Sequence, residues 1–332
     1  MTHSEFDALR RLSAKVGADP LLVQAAGGNT SIKQDGVMWI KASGTWLKDA
    51  MAKDIFVPLD MARLAAALAA DDPACESCVD FVRQDINPLG LRPSIETSVH
   101  GLMPQRIVVH IHCVNTIALA LRADAEAVLA ERLRDFNWAF VPYARPGLML
   151  SRAINKALAA GRPGVDVLVL GNHGLAVAAN TVTEAEALMN RVVAALAAPV
   201  RDFGSAGIAR LKVIADGSNY HLPEDPECHA IALNEDARKA ACVNVYYPDH
   251  VVFLGTSIPD SVASDAVAVA LPGLGVLVHN SAKPSVEPML RCAGDVFRRV
   301  PEGVALKALT ATEIDQLMNW DAEKYRQTMK VV

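Results

Sequence analysis

Phe6, Leu9, Leu12 and Val16 recur at helical spacing with charged residues between them, which predicts an amphipathic first helix closed by Gly17. The runs Val37 to Lys41 and Ile55 to Leu59 read as strands, and the alanine- and leucine-rich stretch Met61 to Ala70 as a helix. Asp71 to Cys78 is polar and reads as a surface connection. Ser94 predicts the N-cap of a helix with Glu96 in its first turn, where Glu96 and His100, four residues apart, share a face. Arg106 to His112 alternates β-branched residues with histidine and predicts a strand. Beyond it, Thr116 to Leu133 reads as helix, Val165 to Leu170 as a buried strand, and Leu175 to Ala178 as extended chain. Thr183-x-x-Glu186 predicts a capping box opening a helix that runs to about Ala198. In the last third, Leu211 to Ile214, Val243 to Tyr247, His250 to Leu254 and Gly275 to His279 predict strands. Val286 to Arg299 and Thr312 to Met329 predict helices. This part reads as a second α/β unit or an extension packed on the first.

Composition narrows the class. The 332 residues are 52% hydrophobic and 21% charged, ordinary for a soluble globular chain and enough for a sizeable core in one large or two smaller domains. A net charge of −5 without any basic run weighs against a nucleic-acid partner. No apolar run reaches the roughly 18 to 20 residues needed to span a bilayer. The opening Met-Thr-His-Ser-Glu-Phe-Asp has neither a basic nor an apolar signal region, so the expectation is a cytoplasmic protein with no membrane partner. Cysteines at 75, 78, 113, 228, 242 and 292 therefore read as reduced thiols. Cys75 and Cys78 form a lone C-x-x-C with no second pair or adjoining histidine, which argues against a zinc finger and leaves a redox pair as the alternative to two structural thiols.

The candidate chemistry centres on His110-Ile-His112. Side chains alternate along a strand, so both imidazoles point to one side while Val109 and Ile111 point to the other. Such a pair is ready to bind a divalent metal, and Glu96 upstream and His173 in Gly171-Asn-His-Gly174 downstream offer further ligands. The competing reading for each is a satisfied core histidine or, for Glu96, a partner of the helix dipole. Gly27-Gly-Asn-Thr-Ser31 and Ala42-Ser-Gly-Thr45 flank one hairpin, and their glycines let backbone amides approach an anion, although both are equally good plain turns. There is no P-loop. His250 and His279 have no partner at ligand spacing and read as structural.

These residues carry a resemblance. Gly-Gly-Asn29-Thr-Ser, Ala-Ser43-Gly44-Thr, Pro-Ser94-Ile-Glu96-x-x-x-His100, Val-Val-His110-Ile-His112 and Asn-His173-Gly174 resemble, in order and spacing, the motifs of the class II aldolase/adducin family over about residues 5 to 200. The wording around Lys41-Ala-Ser-Gly-Thr-Trp-Leu and the tail Asn319-Trp-Asp-Ala-Glu-Lys-Tyr-Arg resemble the aldolase portion of bacterial fusions with a short-chain dehydrogenase. Here Gly273-Leu-Gly275 lacks the third glycine of a dinucleotide fingerprint.

The resemblance implies a three-layer α/β/α domain with a central mixed sheet over residues 1–205, and a C-terminal α/β extension or small second domain over 206–332. It implies that His110, His112 and His173 hold Zn2+ or another divalent metal, with Glu96 as a ligand of the resting metal that becomes the acid/base when substrate displaces it. Asn29, Ser43, Gly44 and Ser94 match positions that hold the substrate phosphate, and Gly28 joins this substrate-binding set. Ile95 stands where sugar-phosphate aldolases often carry a second serine, which removes a hydroxyl and leaves ketose and ketose phosphate both open. A second acid, often tyrosine in the family, is assigned to no residue by any motif. The implied activity is retro-aldol cleavage of a sugar or sugar phosphate through a metal-stabilised enediolate. A same-family decarboxylase or epimerase and a non-catalytic adducin-like module are the alternatives. The implied assembly is a homo-oligomer, a tetramer.

Overall fold

Seven short strands form one mixed sheet, in which runs such as Ile107–Ile111 and Val167–Leu170 carry apolar side chains on both faces and need helices above and below. The computed structural model describes residues 3–161 and 163–320. Chain order begins with α1 (His3–Gly17), β1 (Asn29–Gln34), β2 (Val37–Lys41), β3 (Phe56–Asp60), α2 (Met61–Ala69), α3 (Thr97–Leu102) and β4 (Ile107–Ile111). Then come α4 (Val114–Ala120), α5 (Ala125–Arg132), β5 (Trp138–Val141), α6 (Leu148–Ala160), β6 (Val167–Leu170), β7 (Gly174–Ala179) and α7 (Val182–Ala195). The strands lie in the order β3-β2-β1-β4-β7-β6-β5. Only the β5–β6 pair is parallel.

Alternation along β4 separates two cores. Ile107, Val109 and Ile111 pack with Leu9 and Leu12 of α1 and Met189 and Val192 of α7. Val108, on the opposite face, packs with Val99 of α3 and Leu150 and Ile154 of α6. These are the layers of an α/β/α sandwich, as the family resemblance implies.

The C-terminal part runs α8 (Ile208–Ala215), β8 (Tyr220–His221), α9 (Ala230–Leu233), α10 (Glu235–Val243), α11 (Pro248–Leu254), β9 (Ala268–Leu271), β10 (Gly275–His279), α12 (Val286–Phe297) and α13 (Ala311–Met318). Its three strands form a separate sheet, β8-β10-β9. Its helices share a core with the first part, where Ile231, Met289 and Val296 pack against Val114, Ile117 and Leu121.

Several sequence expectations are corrected. Leu211 to Ile214 and His250 to Leu254 are helical, not strands, and Val243 closes α10. Pro248 stands in the first turn of α11, where its missing N–H costs nothing, and Asn234 caps α10 by accepting from Ala237 N at 3.0 Å. Thr116 to Leu133 is two helices. At the break Ala123 N donates to Ala305 O and Lys307 N to Leu121 O, so a returning C-terminal segment takes up the freed backbone groups. The capping box lies two residues early, at Thr181 and Glu184. Gly273 and Gly275 lie at the β9–β10 hairpin, not in a strand-to-helix turn. The 71–78 connection is not all surface, since Cys75 and Cys78 are buried with free thiols. Burial raises both thiols, which keeps them protonated and argues for structural roles. The predicted C-terminal helix is described only to Met318; its expected remainder from 321 onward lies outside the described residues. No described helix is long and apolar enough to cross a membrane.

Gly174 opens β7 where it passes β4, and an added Cβ would press on the Ile111 carbonyl oxygen. Backbone cannot give way as a flexible side chain can. Gly174→Ala is therefore expected to cost roughly 2 kcal/mol or more of stability, read by urea unfolding of chelator-treated protein. An unchanged midpoint would show that the two strands are not locked at this point.

Candidate metal centre

Strand register assembles the site. Antiparallel pairing sets Asn29 of β1 opposite His110 of β4, and Ile111 opposite Leu175 of β7. His112, just past the end of β4, therefore lies near the tight β6–β7 turn, which carries His173 on its last position before Gly174. Asn172 in that turn takes a left-handed conformation (φ 54°), which asparagine tolerates better than most residues. Its amide donates to Tyr246 O at 2.8 Å and Lys307 O at 2.7 Å, tying the His173 turn to the C-terminal part. Glu96 arrives from the opposite side, on a segment anchored to the end of β2 by Ser94 N donating to Lys41 O and Ser43 N to Arg92 O.

Glu96, His110, His112 and His173 are all buried, and one ligand atom from each lies within 4.8 Å of the others. Nε2 of His110 is 3.3 Å from Glu96 Oε2, Nε2 of His173 is 3.1 Å from Glu96 Oε1, and the Nε2 atoms of His110 and His112 are 3.1 Å apart. The far nitrogens of two rings are engaged. Nδ1 of His110 donates to Leu175 O at 3.0 Å, and Nδ1 of His112 stands 2.8 Å from Asp249 Oδ2, a charge contact off the line of a good hydrogen bond. The carbonyl beside His110 Nδ1 puts that ring's proton there and leaves its Nε2 as a lone pair. That lone pair, the Nε2 atoms of His112 and His173 and the Glu96 carboxylate converge as a buried donor set that fits a divalent metal.

Burial pushes the Glu96 carboxyl up, but its contacts with His110, His173 and His112 outweigh this and hold the group well below the usual carboxylate range. Burial depresses His110 well below an ordinary imidazole, although Glu96 opposes this. Behind Glu96 runs a hydrogen-bonded chain. Ser31 Oγ lies 2.7 Å from His100 Nδ1, and His100 Nε2 lies 2.5 Å from Asn29 Oδ1. Asn29 Nδ2 then donates to Glu96 Oε2 at 2.7 Å and to Ser94 Oγ at 3.0 Å. Burial lowers His100 to about 3, so this ring is neutral and only orients Asn29.

The expected helix start is corrected here. Glu96 occupies the N-cap position before Thr97, not the first turn, and Ser94 lies outside the helix with its hydroxyl accepting from Glu96 N at 3.3 Å. Glu96 and His100 stay one turn apart, His100 N donating to Glu96 O at 3.3 Å, and both side chains meet the amide of Asn29. The carboxylate turns to the imidazole cluster while His100 turns to Asn29 and Ser31. Gly28, Asn29, Ser43, Gly44 and Ser94 line one cleft with Glu96, His112 and His173, and Ile95 is in its wall. Gly28 needs its glycine, since φ is +59° and a Cβ would sit 2.8 Å from the His110 carbonyl.

Two further lining residues had not been singled out from the sequence. Lys41 is only 2% exposed, with Nζ donating to Ala26 O at 2.7 Å. Its signal was a charged residue closing an otherwise apolar strand. Asp249 comes from α11, and its signal was proline followed by an acid, a helix opening hidden inside a β-branched run. His250 is buried in the same helix, and His279 contacts Ser281, both away from the cluster.

The sequence model of the Class II Aldolase and Adducin N-terminal domain family matches residues 11–198. The chain belongs to this family. A similar solved structure is the N-terminal class II aldolase domain of a conserved protein from Thermoplasma acidophilum, 28% identical with a TM-score of 0.50, covering 59% of this chain and 93% of that one. A curated relative, "Uncharacterized oxidoreductase YuxG" of Bacillus subtilis (strain 168), is 31% identical over 170 residues, which is 48% of this chain and 24% of the relative. The chain thus spans about a quarter of that protein's length. As a class II aldolase/adducin family member it carries a cluster able to bind a divalent metal.

Replacing Asn172 by glycine keeps the left-handed turn open to the backbone but removes both amide hydrogen bonds. The carbonyls of Tyr246 and Lys307 would lose their donor, so Asn172→Gly is expected to cost about 1 to 3 kcal/mol in chelator-treated protein. Unfolding at the wild-type denaturant concentration would show that this amide does not tie the two parts together.

Proposed function

We propose that this chain is a zinc-dependent class II aldolase that cleaves a ketose or ketose phosphate reversibly into a dihydroxyacetone-type fragment and an aldehyde. The observation that carries this reading is the convergence of three imidazole Nε2 atoms and a buried carboxylate at a polar cleft. A non-catalytic interaction module has no use for four buried, mutually oriented donors. His110, His112 and His173 hold the metal, with Glu96 as the fourth donor. When bound, the metal supplies a Lewis acid for a substrate carbonyl and its neighbouring hydroxyl.

Glu96 is the acid and base. In the aldol direction the ionised carboxylate removes a proton from the carbon that forms the new bond; in cleavage that proton returns to the same carbon, while the proton of the substrate hydroxyl that becomes the aldehyde passes to a second acid–base group. Asn29 occupies Oε2, while Oε1 accepts no hydrogen bond among the described residues, so Oε1 is the oxygen available to carry the proton. Gly28, Asn29, Ser43, Gly44 and Ser94 bind the substrate. The ammonium of Lys41 and the two hydroxyls suit a polar or anionic end, and both substrate forms stay in play because Ile95 contributes no hydroxyl. The proposed protein is a cytoplasmic homo-oligomer, a tetramer, with residues 1–205 as the metal-binding domain and 206–332 as an extension packed on it.

The test is zinc analysis joined to a retro-aldol screen against ketoses with and without a 1-phosphate. Near-stoichiometric zinc, aldehyde release abolished by chelation and restored by zinc, and a loss of about 100-fold or more in kcat for Glu96→Gln are expected. Zinc uptake without aldehyde, but with carbon dioxide or an epimer as product, would move the assignment to a decarboxylase or epimerase. A wild type that takes up no divalent metal would overturn the reading.

A further inference from the structure

The family match ends at residue 198, yet a carboxylate from far beyond it stands against the metal cluster. Asp249, in the first turn of α11, is 3% exposed and places Oδ2 at 2.8 Å from Nδ1 of His112. We propose that Asp249 is a positioning residue for the metal centre, holding His112 in the Nδ1–H tautomer so that its Nε2 remains a lone-pair donor turned toward His110 and Glu96. The proposal rests on the metal-binding reading above.

The sheet itself explains why this partner must come from outside. His110 lies within β4 and finds its acceptor, the Leu175 carbonyl, on the neighbouring strand β7. His112 lies one residue past the last residue of β4, beyond the reach of the ladder. Asp249 stands beside Nδ1 there as a charge contact instead, and the surrounding chain fixes the pair. A Cβ on Gly27 would lie 2.8 Å from His112 Nδ1 and 3.0 Å from Asp249 Oδ2, so backbone is packed flush against both groups. The helix carrying Asp249 is held in turn by Val251 and Val252 in a core with Val245, Leu309 and Leu317. Leu309 N donates to Val245 O at 2.8 Å, closing this block just before α11 begins. A carboxylate so placed orients the imidazole and raises its basicity, and loss of such a partner typically weakens metal binding by about 10- to 100-fold.

The experiment compares wild type, Asp249→Ala, Asp249→Asn and the control Glu227→Gln, an acid of the same C-terminal part that pairs with Arg298. Zinc affinity is read by chelator competition, and the histidine tautomers of metal-free protein by two-bond 1H–15N spectra of histidine-labelled samples. His112 is expected as Nδ1–H in wild type and as Nε2–H or a mixture in Asp249→Ala. Zinc affinity should fall about 10- to 100-fold in Asp249→Ala, less in Asp249→Asn, whose carbonyl still accepts from Nδ1–H, and not in Glu227→Gln. Should Asp249→Ala fail to fold, the nearly isosteric Asp249→Asn carries the comparison, and a zinc affinity equal to wild type would then overturn the proposal. A folded Asp249→Ala binding zinc within twofold of wild type, or a wild-type His112 in the Nε2–H form, also overturns it. Wild type that binds no zinc is a separate result, which removes the metal reading and this proposal together.

Discussion

The site depends on β4 being paired on both edges. With β1 on one side and β7 on the other, the strand has no freedom to slide, and a shift of one residue would send His110 to the α1/α7 face and Val109 into the site. The same register places Asn29 opposite His110 and brings the β6–β7 turn beside His112. Gly28 and Gly174 serve this pairing by letting backbone approach the carbonyls of His110 and Ile111. The geometry of the donors is thus a property of the sheet, and the Val and Ile residues alternating with the histidines enforce it by filling the opposite core.

Burying four titratable groups at one point is costly unless each outward-facing atom is satisfied. His110 meets this with a backbone carbonyl, His112 with a carboxylate, and Glu96 with the Asn29 amide that His100 orients. His173 differs. Its Nδ1 has no hydrogen-bond partner among the described residues, and its ring is positioned instead by the Asn172 turn. The cluster therefore has two imidazoles fixed through their own far nitrogens and a third fixed through its backbone. Electrostatics favours an arriving cation from both directions, since Glu96 is held ionised and His110 is held neutral.

What could be read from the sequence follows the range of the forces involved. The two histidines at period two, the glycine-flanked His173 and the strand pattern of β4 are local signals, and the structure brings these residues together as local geometry requires. Glu96 is legible as a carboxylate near a helix start, but the N-cap falls on it and not on Ser94, because the bonds that place this boundary, such as Ser94 N to Lys41 O, are tertiary and leave no local signal. The last third was less legible for a different reason. Val251, Val252 and Phe253 look like a strand because every one of them contacts other parts of the fold, and burial on all sides erases the period that separates helix from strand. Pro248 and Asp249 marked the true helix start, but a two-residue signal was outweighed by the apolar run behind it.

The division of labour between the two parts of the chain follows from these contacts. All four donors lie inside the 11–198 region that defines the family, whereas Asp249 and the carbonyls of Tyr246 and Lys307 lie outside it. Two of the three imidazoles are consequently oriented by groups that the family region does not contain. The returning segment that receives Asn172 also fills the break between α4 and α5, where Ala123 donates to Ala305 O, and the helices beyond it share a core with α4. A disturbance of α11 would reach His112 through one carboxylate, and a disturbance of the segment near Lys307 would reach His173 through one amide. Both routes are short. The C-terminal part is therefore built into the metal centre as its outer support, and not merely packed on the back of a finished domain.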